Sequence, residues 1–247
     1  MSSLFGNNIV MLDSVDSTND YAMGLIKTKK IKEGMVIVSH YQEKGKGQRG
    51  KAWESECNKN ILVSCVIEPK ISIDNQFCIN IFTSLAVYDF LSKVLSSSVK
   101  IKWPNDIMVN AKKIAGIRIQ NKISNGLIKY SIIGIGININ QRVFKSYTPE
   151  ATSLIIETNK IFDLNMLIND LLECINIRYL EFVNQKILKQ RKNYLKLLYL
   201  NKRSSLFYIA GEKVNARIHG LSDQGKIILL LNDNSIKEFD AGELKLV

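Results

Sequence analysis

Apolar residues recur along the chain with two different periods, and the changes of period outline its elements. "NIVMLDSV" (8–15) is an apolar run of strand length, and Ser17 or Thr18 stands behind it where a helix cap belongs. The helix then runs through "NDYAMGLIKTK", with Asp20 in its first turn. "GMVIVSHY" (34–41) reads as a buried strand, and "NILVSCVIEP" (60–69) as another, ended by Pro69. In "NQFCINIFTSLAVYDFLSKVL", Phe77, Ile81, Leu85, Tyr88 and Leu91 recur at helical spacing and predict a core helix. "VKIKWPNDIMVNAKKIAGIRIQ" reads as three strands, with a hairpin tip at Asn110 to Lys112, and "LIKYSIIGIGININ" as a further strand.

After "ATSL" the pattern changes. Leu164, Leu167, Ile168, Leu171, Leu172 and Ile175 line one face of an amphipathic helix, and a second, basic helical stretch follows to about Leu200. From Phe207 onward come short strands, "EKVNARIHGL", "KIILLL", "SIKEFD" and "ELKLV", separated by turns at "SDQG" and "NDN". They predict a small barrel over 201–247 appended to a larger domain over 1–200. No repeat or low-complexity segment interrupts the chain.

Composition narrows this picture only a little. The 247 residues suffice for one large domain, or for one domain plus a small appendix. No apolar run approaches the roughly 20 residues of a membrane-spanning helix, and the N-terminus lacks a basic region followed by an apolar one. The chain is therefore expected to be cytoplasmic and to have no membrane partner. Cys57, Cys65, Cys78 and Cys174 show no CxxC spacing and read as reduced thiols. His40 and His219 have no metal-like spacing and read as structural. The net charge of +11 suggests nucleic acid, but the excess is mostly lysine and is spread along the chain. The stretch from Phe182 to Gly211, without Asp or Glu, reads as a solvated helix face, with an acidic partner or nucleic acid as the other readings.

Four segments carry candidate chemistry. In "DSTND", the side chains of Ser17, Thr18 and Asn19 can cap the helix or bond a polar ligand. In "GKGQRG" (45–50), glycines let the backbone approach a ligand closely, and successive N–H groups can cradle an anion beside Lys46, Arg49 and Lys51. This is neither a Walker loop, since Ala52 follows Lys51, nor the opening of a dinucleotide-binding βαβ unit. In "KWPNDIMVNAKKIAGI", Asn105 and Asp106 sit at a turn. Lys113, amid apolar neighbours, is expected to point into a cavity and to need an anion. In "GIGININ", Gly134 and Gly136 thin a strand so that something can lie against it, and Asn138 offers an amide at its end.

Together these segments resemble the biotin protein ligase family, over about residues 8 to 247. "KWPND" followed by "KKIAGI" and then "GIGIN" carries most of the resemblance, with "ATSL" and the C-terminal β segment adding to it. The resemblance implies an α+β fold: a mixed-sheet catalytic domain like that of class II aminoacyl-tRNA synthetases, with a small C-terminal SH3-like β-barrel. It implies formation of biotinyl-5′-AMP from biotin and ATP with Mg2+, then transfer of biotin to a lysine of a biotin carboxyl carrier protein. Ser17, Thr18, Asn19, Gln42, Gly45, Lys46, Gly47, Gln48, Lys113 and Gly116 would bind biotin, with Gly45 to Gly50 closing over the intermediate. Arg49, Gly50, Trp53, Asn105 and Asn138 would bind the nucleotide, whereas Trp103 reads as core packing under the ligand rather than a contact. Lys113, Arg49 and Asp106 would be catalytic, with Asp106 acting in the second step or in metal handling. No metal would be fixed by protein alone; Mg2+ would come with ATP.

The family's loop is commonly GRGRRG, so Lys46 loses a bidentate fork and Gln48 loses a cation. About eight residues precede the first strand, too few for the winged-helix domain of the family's repressor members, so specific DNA binding is not expected; a homodimer is compatible. A lipoate or octanoate ligase shares the architecture, but the form of "KWPND…KKIAGI" argues for biotin. A plain nucleic-acid binder is the rival of another class.

Overall fold

The structure, a computed structural model, describes residues 3–145 and 149–246. Val247, the end of the last predicted strand, lies outside the described residues. The chain begins with β1 (Ile9–Leu12), α1 (Thr18–Lys27), β2 (Val36–Ser39) and β3 (Asn60–Ile67), followed by the long helix α2 (Phe77–Val94). Then come β4 (Val99–Lys102), β5 (Asp106–Val109), β6 (Lys112–Ser124) and β7 (Leu127–Asn138). Three helices follow, α3 (Leu154–Thr158), α4 (Leu164–Val183) and α5 (Ile187–Leu197). The chain closes with β8 (Ser204–Ile209), β9 (Glu212–Leu221), β10 (Ile227–Leu231), β11 (Ile236–Phe239) and β12 (Leu244–Leu246).

The first seven strands form one sheet in the order β1-β2-β3-β7-β6-β5-β4. β1 and β2 run parallel and the other neighbours antiparallel, so the sheet is mixed. The tip of the β5–β6 hairpin is Asn110–Ala111, both at positive φ (49° and 63°), as a tight two-residue turn requires. The last five strands make a separate antiparallel sheet, β11-β10-β9-β8-β12.

The two faces of the large sheet differ in what covers them. One face is packed under α2 and α4, with Val63, Cys65, Ile133, Ile135 and Ile137 in the same apolar cluster as Phe82, Phe90 and Leu171. Phe82 meets Phe182 at 5.2 Å and Tyr179 at 5.8 Å between ring centroids. Burial pushes the Cys65 thiol up to about 12, so it behaves as an inert core group. α2 is apolar on nearly all sides. By length and composition the segment Ile73–Val94 would suffice to cross a membrane, contrary to the sequence expectation that no such run exists; 67% of its apolar window is buried in this core.

On the other face, α1 covers only part of the sheet, packing Ala22 against Ile37, Val66 and Ile132. Elsewhere that face carries Ser64, Lys102, Asp106, Gly116, Gly134 and Gly136, and the candidate site side chains gather there.

Three features differ from the sequence reading. The chain from Leu154, for which no element is expected, forms α3, capped by Ser153, and β8 begins at Ser204, before Phe207. Arg191 is not on a solvated face. Its guanidinium donates to the carbonyls of Leu221 (2.7 Å) and Ser222 and lies 3.5 Å from Asp223, fastening α5 to the C-terminal sheet.

Candidate active site

Register builds the floor of the site. Lys102, Asp106, Gly116, Gly136 and Leu62 are successive cross-strand partners on β4, β5, β6, β7 and β3, so all five face the same side. The next row is Arg118, Gly134 and Ser64. Glycines therefore occupy the middle of both rows. An alanine methyl at Gly134 would come within 2.3 Å of the Asn19 amide, and one at Gly136 within 2.5 Å of the Trp53 indole. What lies against the thinned strand is thus first of all the protein's own Asn19 and Trp53.

The start of α1 stands over the second row. Ser17 caps the helix, accepting from the Asp20 N–H. Gln42 Oε1 accepts from the Thr18 N–H (2.8 Å) and the Thr18 hydroxyl (3.0 Å). Ser64 Oγ lies 2.7 Å from both Thr18 Oγ1 and Asn19 Oδ1, and Asn19 Nδ2 donates to Gln120 Oε1 (2.9 Å). Ser17, Thr18 and Asn19 are each less than 5% exposed, so their positions are fixed.

The glycine loop closes as a hairpin over the first row. Gly47 N donates to Lys51 O (2.7 Å) and Trp53 N to Gly45 O (2.8 Å). Arg49 takes the left-handed conformation (φ 55°) and reaches Gly242 of the C-terminal sheet. Gln48 Nε2 donates to Ile117 O (3.3 Å), and Lys46 pairs with Asp20 (2.5 Å). Lys113 pairs with Asp106 at 2.6 Å, both side chains less than a third exposed, and sits 5.6 Å from the Trp53 ring centroid. The anion that Lys113 was expected to need is thus supplied within the chain.

Two recesses meet here. A narrow cleft is lined by Ser17, Thr18, Asn19, Gln42, Lys46, Gly47, Gln48, Trp53, Asn105, Lys113, Gly116 and Arg118, among others. A larger cavity of about 850 Å³ opens between the large sheet and the C-terminal one; Arg49, Lys102, Trp103, Asp106, Asn138, Phe207 and Gly242 help to line it. Gly47, Gln48, Trp53, Asn105 and Lys113 border both.

Of the predicted biotin-binding residues, all but Gly45 line the cleft; Gly45 lies behind Trp53 and Gln42. Of the predicted nucleotide-binding residues, all but Gly50 line the cavity. The Asn105 and Asn138 amides already donate, to Ile117 O and Thr152 O (both 2.9 Å). Trp103 donates to Gly225 O (2.9 Å), and the buried Tyr194 hydroxyl to Pro104 O (2.9 Å), so α5 and the C-terminal sheet hold the "WPND" turn from behind.

The residues match the model of the biotin/lipoate A/B protein ligase family over 11–138. The chain belongs to that family. A bifunctional ligase/repressor BirA from Bacillus spizizenii is 26% identical over 259 residues, covering 99% of this chain and 76% of that protein. A biotin–[acetyl-CoA-carboxylase] ligase from Mycobacterium tuberculosis is 22% identical over 201 residues, covering 80% and 73%. The structure of biotin protein ligase from Aquifex aeolicus in complex with biotin and ATP superposes with a TM-score of 0.80 at 25% identity, covering 98% of this chain and 99% of that one. The matched family segment contains every residue bordering both recesses, whereas the far wall of the larger cavity, from Phe207 on, lies outside it.

Sequence reasoning missed three members of the site. Lys102 stands in "KWPND", where the sequence pattern gives it no distinct role. Burial pushes its ammonium below the ordinary lysine range; Asp106 opposes that, while Lys113 and Lys51 push the same way. Arg118 lies on the cleft wall, and its one signal is a charge inside the otherwise apolar "IAGIRI". Ser64 is buried in an apolar strand and had no distinguishing signal.

Proposed function

We propose that the chain activates biotin with ATP to biotinyl-5′-AMP and then transfers biotin to a lysine of a biotin carboxyl carrier protein. The observation that carries this reading is the meeting of two recesses at Lys113. A narrow cleft shares a wall with a cavity large enough for a nucleotide, and Lys113 stands on the shared wall. In the first step a biotin carboxylate oxygen attacks the α-phosphorus of ATP, and the bond to the bridging β-phosphate oxygen breaks, releasing pyrophosphate. The carboxylate is already ionised, so it needs relief of charge repulsion rather than a base. Lys113 and Lys102 flank the junction and supply that relief, and Arg49 faces the cavity from the loop. In the second step the acceptor lysine nitrogen attacks the acyl carbon and AMP leaves. Asp106, 2.6 Å from Lys113, orients the incoming amine or takes its proton.

Trp53, which borders the cavity from the loop side, would flank the adenine. Among the described residues no three His, Cys, Asp or Glu side chains converge. Mg2+ commonly binds through one or two carboxylates plus phosphates, and Asp106 and Glu54 on the cavity wall suit it in that way. Bound there with ATP, it would neutralise phosphate charge. We read the large sheet with its helices as a catalytic domain of the class II synthetase type, ending near residue 200, and the C-terminal sheet as an SH3-like barrel that closes the nucleotide cavity. Four free cysteines support a cytoplasmic setting.

The test is biotin-dependent exchange of labelled pyrophosphate into ATP, with lipoate and octanoate in parallel. Exchange with biotin is expected. Exchange with lipoate or octanoate alone would keep the chemistry and overturn the substrate. No exchange with any of the acids would overturn the reading, and salt-dependent DNA binding would then be measured.

A further inference from the structure

Three cations line the narrow cleft: Lys46, Lys113 and Arg118. Two are paired within the chain, Lys46 with Asp20 (2.5 Å) and Lys113 with Asp106 (2.6 Å). Arg118 differs from both. Its Nη1 is buried with no hydrogen-bond partner among the described residues. A guanidinium N–H buried without an acceptor keeps its full desolvation penalty, so such groups are normally met by an oxygen.

Position in the cleft indicates which oxygen. Gly47, Gln48, Trp53, Asn105 and Lys113 border both recesses, so that end of the cleft opens toward the nucleotide cavity. Arg118 borders the cleft alone, as do Ser17, Thr18, Asn19 and Gly134. It lies two strand positions beyond Gly116, roughly 7 Å further along β6. The reacting carboxylate has to be at the open end, beside Lys113. Arg118 therefore faces the other end of the acid.

On the reading that the cleft takes the acid to be adenylated, we infer that Arg118 is a specificity-determining residue. Its Nη1 donates to an acceptor oxygen at the distal end of the ligand, the ureido carbonyl of biotin. A dithiolane or an alkyl terminus has no such acceptor and would leave the guanidinium unpaired. A site built around a buried donor rejects a ligand that cannot satisfy it far better than an apolar pocket rejects a poor fit. Asn19 holds the strand in place here, donating to the Arg118 carbonyl (3.2 Å).

The experiment is pyrophosphate exchange by the full chain and by Arg118→Met, with biotin, desthiobiotin (which keeps the ureido ring), lipoate and octanoate. Arg118→Met should raise KM for biotin and desthiobiotin by about 10- to 100-fold, leave KM for ATP unchanged and narrow the preference over octanoate. An unchanged KM for biotin overturns the inference. So does a raised KM for ATP with that for biotin unchanged, since the guanidinium would then serve the phosphates. If the methionine variant does not fold, Arg118→Lys decides: a several-fold rise in KM for biotin alone supports the inference, and a wild-type value overturns it. Failure of the wild type to exchange with biotin would instead remove the parent reading.

Discussion

Gly136→Ala tests how the site is built. Gly136 is not among the residues at positive φ, so alanine meets no backbone strain there. The obstacle is the Trp53 indole. A methyl would lie 2.5 Å from Cε2, 2.7 Å from Cζ2 and 2.9 Å from Nε1 of that ring. Carbon contacts settle at about 3.5–4.0 Å, so the ring has to retreat by roughly 1 Å. It cannot swing freely, because Trp53 N is bonded to Gly45 O and Lys46 pairs with Ala52 across the loop. The loop hairpin has to move with the ring. Overpacking of this kind costs about 1–3 kcal/mol. A reacting-group wall displaced by about 1 Å lowers activity by about 100-fold.

The assay pairs urea unfolding with pyrophosphate exchange in a double-mutant cycle with Trp53→Leu. If the methyl acts by displacing the indole, the stability penalty largely disappears in the Trp53→Leu background, giving a coupling of about 1–3 kcal/mol. A penalty that persists undiminished without the indole, or a Gly136→Ala protein with wild-type stability and rate, would refute this reasoning.

Three other outcomes are expected. Lys113→Ala should slow adenylation by at least about 100-fold in pyrophosphate exchange, the effect of one lost transition-state contact; a near-wild-type rate would remove Lys113 from the chemistry. Gln48→Arg should slow release of biotinyl-AMP in a filter-retention assay by adding a cation where Gln48 now donates to Ile117 O, and an unchanged release rate would show that this position does not hold the intermediate. For Lys102, the folded chain holds fewer protons than the unfolded chain between its lowered value and 10.5, so its contribution to stability rises with pH across that window. The difference in unfolding free energy between wild type and Lys102→Met, followed by urea titration at several alkaline pH values, should rise accordingly; a flat difference would contradict the burial argument.

Much of this arrangement is legible along the chain because its determinants are local. Ser17 caps α1 as its spacing suggests, and the Asn110–Ala111 turn sits where the alternation breaks. Glycines at 134 and 136 do mark a close approach. What approaches was not legible, since Asn19 and Trp53 reach them from more than eighty residues away in sequence. Arg118 becomes a cleft residue only through register across β6, β7 and β3, which no single strand discloses. α3 was missed because its five residues are too few to show a helical period. Arg191 read as solvated because its partners are carbonyls of a sheet some thirty residues later in the chain.

The distribution of charge also argues that the site is poised rather than simply basic. The net charge of +11 does not converge on it unopposed. Lys44 is paired with Asp16 (2.9 Å) and Lys46 with Asp20 (2.5 Å), both at the surface, where such pairs contribute little to stability and are weakened by salt. These loop lysines can change partners readily when an anion enters. Lys113 and Asp106 are more enclosed, and parting them would leave a partly buried charge unmatched. The two kinds of pair therefore suit different tasks. Lys46, on the cleft wall, can give up Asp20 to an entering anion, while Lys113 keeps Asp106 beside it. On the proposed function, a carboxylate would then already be in place for the acceptor amine.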